Sequence, residues 1–136
     1  MTRFKMFKIS TLQFAILSNE VPSNYGFNTH AELKHSKDGS AIAVNMTFSF
    51  AEADKNIMLL QVQCEFAIHP DDIKKLTAQN VVKIPKDVLD YFLAQTVGTA
   101  RGILHCKTEG TPFNGMIIPP LDVTGMLKGD LEINIQ

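Results

Sequence analysis

The stretch IMLLQVQCEFAI, residues 57–68, alternates side chains along its whole length. One side of this alternation carries the apolar residues Met58, Leu60, Val62, Cys64, Phe66 and Ile68. The other side carries Leu59, Gln61, Gln63, Glu65 and Ala67. A side-chain period of two is typical of a β-strand that buries one face and leaves the other solvated. The stretch therefore predicts a strand of an antiparallel sheet that is covered on one side.

The residues before this strand predict three more strands. Residues 41–53 alternate in the same way, and the polar connection 51–56 has the length of a hairpin. Ser-Lys-Asp-Gly-Ser at 36–40 predicts a second hairpin, which joins a strand at 28–36 to 41–53. A first strand at 3–17 alternates irregularly, which indicates a bulge or an interface on both faces. The breaker-rich segment 18–26 is too long for a tight turn and predicts a crossing loop.

The pattern changes to helix at Pro70. Proline at a first helical position followed by Asp71 and Asp72 complements a helix N-terminus, and a short helix is predicted over 70–78. Pro85 and Asp87 repeat the signal and predict a long helix over 86–107. After it only 121–128 could form another turn or two of helix. The expected fold is α+β, a single domain over 1–136 in which a four-stranded antiparallel sheet is followed by a short and a long helix packed on one face.

Composition restricts the function. The 136 residues are 45% hydrophobic and 20% charged, as in an ordinary globular domain, and the net charge of -1 gives no basic surplus for nucleic acid. The sequence contains no stretch of about 20 apolar residues, so no membrane-spanning helix is predicted. The N-terminal apolar residues are interrupted by Arg3, Lys5 and Lys8, unlike a signal peptide. We expect a cytoplasmic protein whose two cysteines, Cys64 and Cys106, are reduced.

No catalytic or metal site is expected, and no cofactor. His69, Asp71 and Asp72 could act as an acid/base group, but residues in this pattern more often cap and complement a helix. His105 and Cys106 are helical neighbours that point about 100° apart, so they do not form a thiol nucleophile with its base. His30 and His35 are not expected to bind a metal together, because an odd separation places them on opposite faces of a strand.

Small residues form a stripe along the predicted long helix. Ala94, Gly98 and Gly102 recur every four residues, and each glycine costs about 1 kcal/mol relative to alanine. The stripe indicates a close packing contact, either with the sheet or with another subunit. The alternative is a helix that tolerates two exposed glycines.

Apolar residues are also frequent outside the predicted elements, in the crossing loop and after the long helix. We identify these residues as a candidate groove for extended apolar polypeptide: Val21, Tyr25, Phe27, Phe113, Met116, Ile117, Ile118, Leu121, Val123, Met126 and Leu127. Burying one such side chain is worth roughly 1.5–3 kcal/mol, so several could hold a partner without directional chemistry. The alternative is that they close the core or an oligomer interface.

Several local motifs resemble the SecB family of bacterial export chaperones, over about residues 4–127. The motifs are VQCEFAI at 62–68, the proline-initiated helix from Pro85 to Lys107, GTPF at 110–113 and IIPPLDV at 117–123. The resemblance implies a non-enzymatic, ATP-independent chaperone of the bacterial cytoplasm that assembles as a dimer of dimers with its long helices between the sheets. It also implies that unfolded polypeptides bind in apolar grooves formed by the crossing loop and by the segment after the long helix.

Two departures bear on the partner. Family members that deliver clients to the SecA motor have a strongly acidic exposed sheet and a C-terminal tail helix, whereas this chain is nearly neutral and ends in GMLKGDLEINIQ at 125–136. SecA is therefore a doubtful partner. The family also contains SecB-like chaperones that serve toxin–antitoxin systems, so a dedicated partner is the alternative to general protein export.

Overall fold

The computed structural model describes residues 1–135 and confirms the α+β class. Its strands and helices are, in chain order, β1 Phe4–Ile16, β2 Gly26–His35, β3 Ala41–Glu52, β4 Lys55–Ile68, α1 Pro70–Leu76, β5 Thr77–Ala78, β6 Val81–Ile84, α2 Lys86–Thr108 and β7 Leu131–Asn134. Two short 3-10 turns, Pro112–Gly115 and Val123–Gly125, lie between α2 and β7. No helix in this part of the chain combines the length and hydropathy needed to cross a membrane.

The first four strands form one antiparallel sheet in the order β1-β4-β3-β2. Both predicted hairpins are present, since β2 pairs with β3 and β3 with β4. β1 and β2 lie at opposite edges, so the connection between them crosses the whole sheet, as the length and composition of 18–26 predicted.

The core lies between the inner face of this sheet and α2. The side chains that alternate inward on β3 and β4 are buried, from Ile42 to Phe50 and from Met58 to Ile68. α2 buries residues at helical spacing, including Leu89, Phe92 and Leu93. The rings of Phe66 and Phe92 are stacked, with centroids 4.2 Å apart and planes 3° from parallel. This stack fixes α2 against β4.

β1 contains the irregularity expected from its sequence. Its register with β4 shifts between Met6 and Lys8 and again between Thr11 and Gln13. Each shift inserts one extra residue, Phe7 and Leu12 respectively, and so resets the alternation. The first shift allows Ile9 to pair with Cys64, whose side chain lies in the core.

A second sheet was not predicted. β5, β6 and β7 form a three-stranded antiparallel sheet, and its first strand begins directly after α1. The helix expected over 70–78 therefore ends at Leu76, because Thr77 and Ala78 pair with Val82 and Val81 instead. The helix considered within 121–128 is only the 3-10 turn Val123–Gly125.

The β2–β3 hairpin packs its tip on the small sheet at Gly39. Gly39 is buried and has a φ of +77°, a conformation that favours glycine. A Cβ atom there would lie 3.2 Å from Val82 Cγ1 and 3.3 Å from Ile133 Cδ1. The two sheets are thus joined at a position that only glycine fits without a shift of its neighbours.

Gly39→Ala is expected to destabilise the protein more than Gly110→Ala. Both glycines have nearly the same positive φ, +77° and +78°, but an added Cβ at Gly110 meets nothing within 4 Å. An alanine in the left-handed conformation lowers the free energy of unfolding by roughly 1–2 kcal/mol, and this loss should be common to both variants. Gly39→Ala has the additional cost of displacing Val82 and Ile133. Urea denaturation of both variants measures the difference. Equal losses would show that the hairpin tip adapts freely.

Candidate functional site

The crossing loop and the start of β2 place aromatic side chains at one end of β3, since Phe27, expected in the loop, is the second residue of β2. The Tyr25 ring meets Phe50 edge to face at 5.8 Å, and Phe27 lies 5.2 Å from the same ring. Phe27 and Val21 are half-buried, whereas Tyr25 remains 41% exposed. The loop thus contributes a partly solvated apolar surface that rests on the core.

The segment after α2 divides into buried and accessible residues. Phe113, Met116, Ile118 and Val123 are buried in the core. Ile117 is 58% exposed, and Leu121, Met126 and Leu127 are half-buried. Of the eleven candidate groove residues, therefore, four close the core and seven keep accessible surface.

Charged side chains of α2 hold this segment through its backbone. The Arg101 guanidinium donates to the carbonyls of Ile118 and Pro119, at 2.8 and 2.9 Å. Lys86 Nζ donates to the Thr124 carbonyl at 2.6 Å and also to the Asp90 carboxylate at 2.7 Å. The segment therefore runs back along α2 from its C-terminal to its N-terminal end. Its anchors attach it to α2, whereas the crossing loop attaches to β3.

The small residues of α2 lie on the surface. Ala94, Gly98 and Gly102 are exposed, and a Cβ built at either glycine meets nothing within 4 Å. The sheet of the same chain therefore does not explain the glycines. Two interpretations from the sequence remain, namely a contact with another subunit and a helix that tolerates two exposed glycines.

A second apolar surface lies on β1, for which the sequence indicated a bulge or an interface on both faces. Phe7, Ile9 and Leu12 are 50%, 53% and 50% exposed, and Tyr91 of α2 is also half exposed. Thr11 of β1 and Gly102 of α2 line one cavity, which places this strand beside the small-residue stripe. The available signal was the apolar content of both faces of 3–17, which a bulge also explained.

His69, Asp71 and Asp72 serve the start of α1. His69 is the N-cap, and its Nδ1 accepts the Asp71 backbone N–H at 3.1 Å. The Asp72 carboxylate accepts the backbone N–H and Nε of Arg3, at 2.8 and 3.0 Å. The hydrogen bond from the Arg3 side chain is the main reason that the pKa of Asp72 is lowered to about 2. The Asp72 carboxylate therefore ties the start of β1 to α1, a contact that the capping interpretation did not include.

Stability should decrease in acid through Asp72. Its pKa is below the usual value near 3.9, so ionised Asp72 stabilises the fold above about pH 4, and this is lost as the pH falls towards 2. At pH 7 the melting temperature of Asp72→Asn should be lower than that of the wild type. Near pH 2 the two melting temperatures should be nearly equal. Asp71→Asn is the control, since that side chain is 64% exposed whereas that of Asp72 is 7% exposed. A constant gap between wild type and Asp72→Asn from pH 7 to 2 would contradict this assignment.

No cluster of three or more potential metal ligands occurs within residues 1–135. His105 and Cys106 are both exposed at the end of α2. Asn114 Nδ2 lies 3.0 Å from the His105 carbonyl and 3.1 Å from Thr108 Oγ1. These contacts close the C-terminal end of the helix.

Comparisons with known proteins support the fold at the level of structure. No protein-family model and no curated protein matches the sequence. The structure is similar to that of a SecB-like chaperone from Mycobacterium tuberculosis, solved in complex with a ChAD peptide from the HigA1 antitoxin. The TM-score is 0.55 at 15% sequence identity, over 88% of this chain and 91% of that chain. At this identity the likeness establishes a SecB-like fold.

Proposed function

We propose that this protein is an ATP-independent chaperone that binds unfolded or slowly folding polypeptides through apolar side chains. Exposed apolar groups outside the regular elements, above all Tyr25 and Ile117, are the observation that carries the proposal. The SecB-like fold supports it, because the similar chaperone was solved with a bound peptide. We further propose that the protein works in the bacterial cytoplasm by binding rather than by catalysis.

The seven accessible groove residues are the proposed client contacts, namely Val21, Tyr25, Phe27, Ile117, Leu121, Met126 and Leu127. Each apolar side chain that a client covers contributes at most roughly 1.5–3 kcal/mol, so affinity requires several at once. The two methionines suit varied partners, because their side chains are flexible and polarisable. The buried Phe113, Met116, Ile118 and Val123 support the segment from the core.

We also propose that the chain assembles with itself as a dimer of dimers. The exposed stripe of Ala94, Gly98 and Gly102 would allow close approach of a second backbone, and β1 adds apolar side chains beside it. Assembly would place several client sites on one particle, which raises the effective concentration for a long unfolded chain.

Light scattering of an aggregating unfolded client tests the chaperone proposal. We expect suppression of aggregation at one assembled particle per client, without ATP, because binding to the unfolded state competes with its self-association. Scattering unchanged at this ratio would overturn the proposal.

Paired serine variants test the site itself. Tyr25→Ser with Ile117→Ser should weaken suppression several-fold, since both side chains are exposed and contribute little to the core. Leu17→Ser is the matched control, because Leu17 is 50% exposed and lies outside the proposed contacts. Equal activity of the double variant and the control would place client binding elsewhere.

A chaperone dedicated to one partner is the second candidate. The outer face of the large sheet shows no acidic surplus, because the register places Lys5, Lys8 and Lys34 there with Glu32 and Glu65. The similar chaperone was solved with a peptide from an antitoxin. Affinities for a panel of unrelated unfolded proteins distinguish the candidates. Comparable affinity for all of them supports a general chaperone, whereas binding to a single partner protein supports a dedicated one. Binding to SecA at physiological salt would favour export.

A further inference from the structure

The free edge of β7 borders a cavity that neither the proposed groove nor the proposed assembly uses. β7 is the outer strand of the small sheet, in the order β5-β6-β7. A solvent-facing cavity of about 940 Å³ runs along it, and its lining includes the successive residues Glu132, Ile133, Asn134 and Ile135. His35, Lys37 and Asp38 of the β2–β3 hairpin line the same cavity. We call this space the β7 slot.

The register shows which backbone groups of β7 point away from β6. Val82 pairs with Ile133, and Ile84 with Leu131. The Ile135 N–H donates to the Asn80 carbonyl at 2.8 Å, which identifies Ile135 as a hydrogen-bonded position of this ladder. Hydrogen-bonded and non-hydrogen-bonded positions alternate in an antiparallel pair. The N–H and C=O groups of Glu132 and Asn134 therefore point away from β6, towards the free edge.

The walls of the slot are firmly placed. Gly39 holds the hairpin against Val82 and Ile133. Within the hairpin, Asp38 Oδ1 accepts the Ser40 backbone N–H at 3.0 Å, the Ser40 hydroxyl at 2.7 Å and the Ser36 hydroxyl at 2.8 Å. A preformed wall lowers the ordering cost of a ligand that enters beside it.

We propose that the β7 slot binds an extended polypeptide segment as an additional antiparallel strand, through hydrogen bonds to the backbone of that segment. Unpaired strand groups spaced two residues apart match the backbone of another strand, and adding a strand to a sheet edge is a recurrent mode of peptide recognition. Lys37 and Glu132 form no ion pair with another residue in 1–135, and the Asp38 carboxylate also lines the slot, so charges of both signs face the segment's side chains.

This inference deepens the proposed function, because the segment would belong to a client held elsewhere by its apolar residues. The apolar contacts select unfolded chains by composition, whereas the slot binds mainly backbone groups and therefore tolerates a polar sequence. A polar stretch of a client could therefore be bound at the slot while an apolar stretch occupies the groove.

Proline substitutions test the slot without breaking the β6–β7 ladder. Asn134→Pro removes a backbone N–H that faces the free edge, a place where strands accept proline. Asn134→Ala is the matched control, because it removes the same side chain and retains the N–H. The probe is a blocked hexapeptide of alternating threonine and valine, titrated into isotopically labelled full-length protein and followed by NMR.

The peptide should shift the amide signals of Glu132 and Asn134 in the wild type and bind to Asn134→Ala with similar affinity. Asn134→Pro should weaken binding at least tenfold, and so should N-methylation of alternate peptide residues, which removes backbone donors from one edge. Amide exchange of Ile133 reports whether the small sheet stays folded in each variant; Glu132→Pro is the second variant, used if Asn134→Pro unfolds it.

Equal binding by the proline and alanine variants, shifts confined to the large sheet, or β7 signals that change only with protein concentration would overturn the proposal. The last result would indicate pairing between two copies of β7. Light scattering with Asn134→Pro separates this inference from the proposed function. If Asn134→Pro no longer binds the peptide but still suppresses aggregation, the slot has no part in client binding. If the wild-type protein binds the peptide but does not suppress aggregation, the proposed chaperone function is contradicted and the slot is not.

Discussion

Phe92→Ala is expected to lower the free energy of unfolding by about 3–5 kcal/mol, the range of a fully buried phenylalanine truncated in a core. Phe92 is 0% exposed. Its ring is stacked on Phe66 at 4.2 Å and meets Phe4 edge to face at 4.7 Å. The substitution therefore opens a cavity where α2, β4 and β1 meet. Such a loss is a large share of the 5–15 kcal/mol that stabilises an ordinary domain.

Tyr91→Ala is the comparison for this prediction. Tyr91 is adjacent in sequence and its ring also meets Phe4, at 5.3 Å, but it is half exposed. We expect it to cost about 1 kcal/mol or less in the isolated chain, in the range of an aromatic pair. Denaturation in urea measures both variants. Phe92→Leu, which retains most of the volume, should cost less than Phe92→Ala and provides a measurement if the alanine variant does not fold. Equal costs at Phe92 and Tyr91 would contradict the packing described for α2.

The large sheet could be predicted because its sequence signals are local and continuous. β3 and β4 are twelve and fourteen residues long and alternate over most of that length, and both hairpins carry polar turn residues. The start of α2 was predicted correctly because proline and aspartate act on the first turn itself. The two hairpins predicted that β2, β3 and β4 are neighbours, and the long connection predicted a crossing loop, but the position of β1 beside β4 was not predicted.

The small sheet was missed for a physical reason. β5 has two residues, and β6 and β7 have four each, so none is long enough to establish a period against neighbouring turns. β6 and β7 are also separated by all of α2. The usable signals were Val81-Val82-Lys83-Ile84 and the alternation of Leu131, Ile133 and Ile135 with polar residues. Each signal is weak alone, and only the fold brings them together.

The candidate groove could be predicted as a set of residues but not as a surface. Apolar residues outside regular elements either cover a core or remain accessible, and their spacing does not distinguish the two. Ile117 and Ile118 are adjacent in sequence and differ completely in burial, 58% against 1% exposed. The segment is held by contacts distant in sequence, such as the hydrogen bond from Arg101, 17 positions earlier in the chain, to the Ile118 carbonyl.

Gly98→Leu is expected to break the proposed subunit contact at the stripe and so to lower the solution mass of the protein. The stripe of Ala94, Gly98 and Gly102 is uncovered in the single chain, so leucine fits there without a clash and the fold should persist. In a close helix contact the same side chain would separate the two backbones. The solution mass at a fixed protein concentration measures the effect. Gly129→Leu is the matched control, since Gly129 is also exposed and unobstructed but lies outside the stripe.

Gly98→Ala and Gly102→Ala then separate the helix from the contact. Each should stabilise the isolated helix by about 0.8–1 kcal/mol, because alanine has the higher helix propensity. If the glycines serve an interface, these variants gain stability when monomeric and lose affinity between subunits, so the two measurements move in opposite directions. Stability and assembly that rise together, or a wild type that is monomeric at every concentration, would remove the proposed role of the stripe. The glycines would then be positions where α2 simply accepts a lower intrinsic stability.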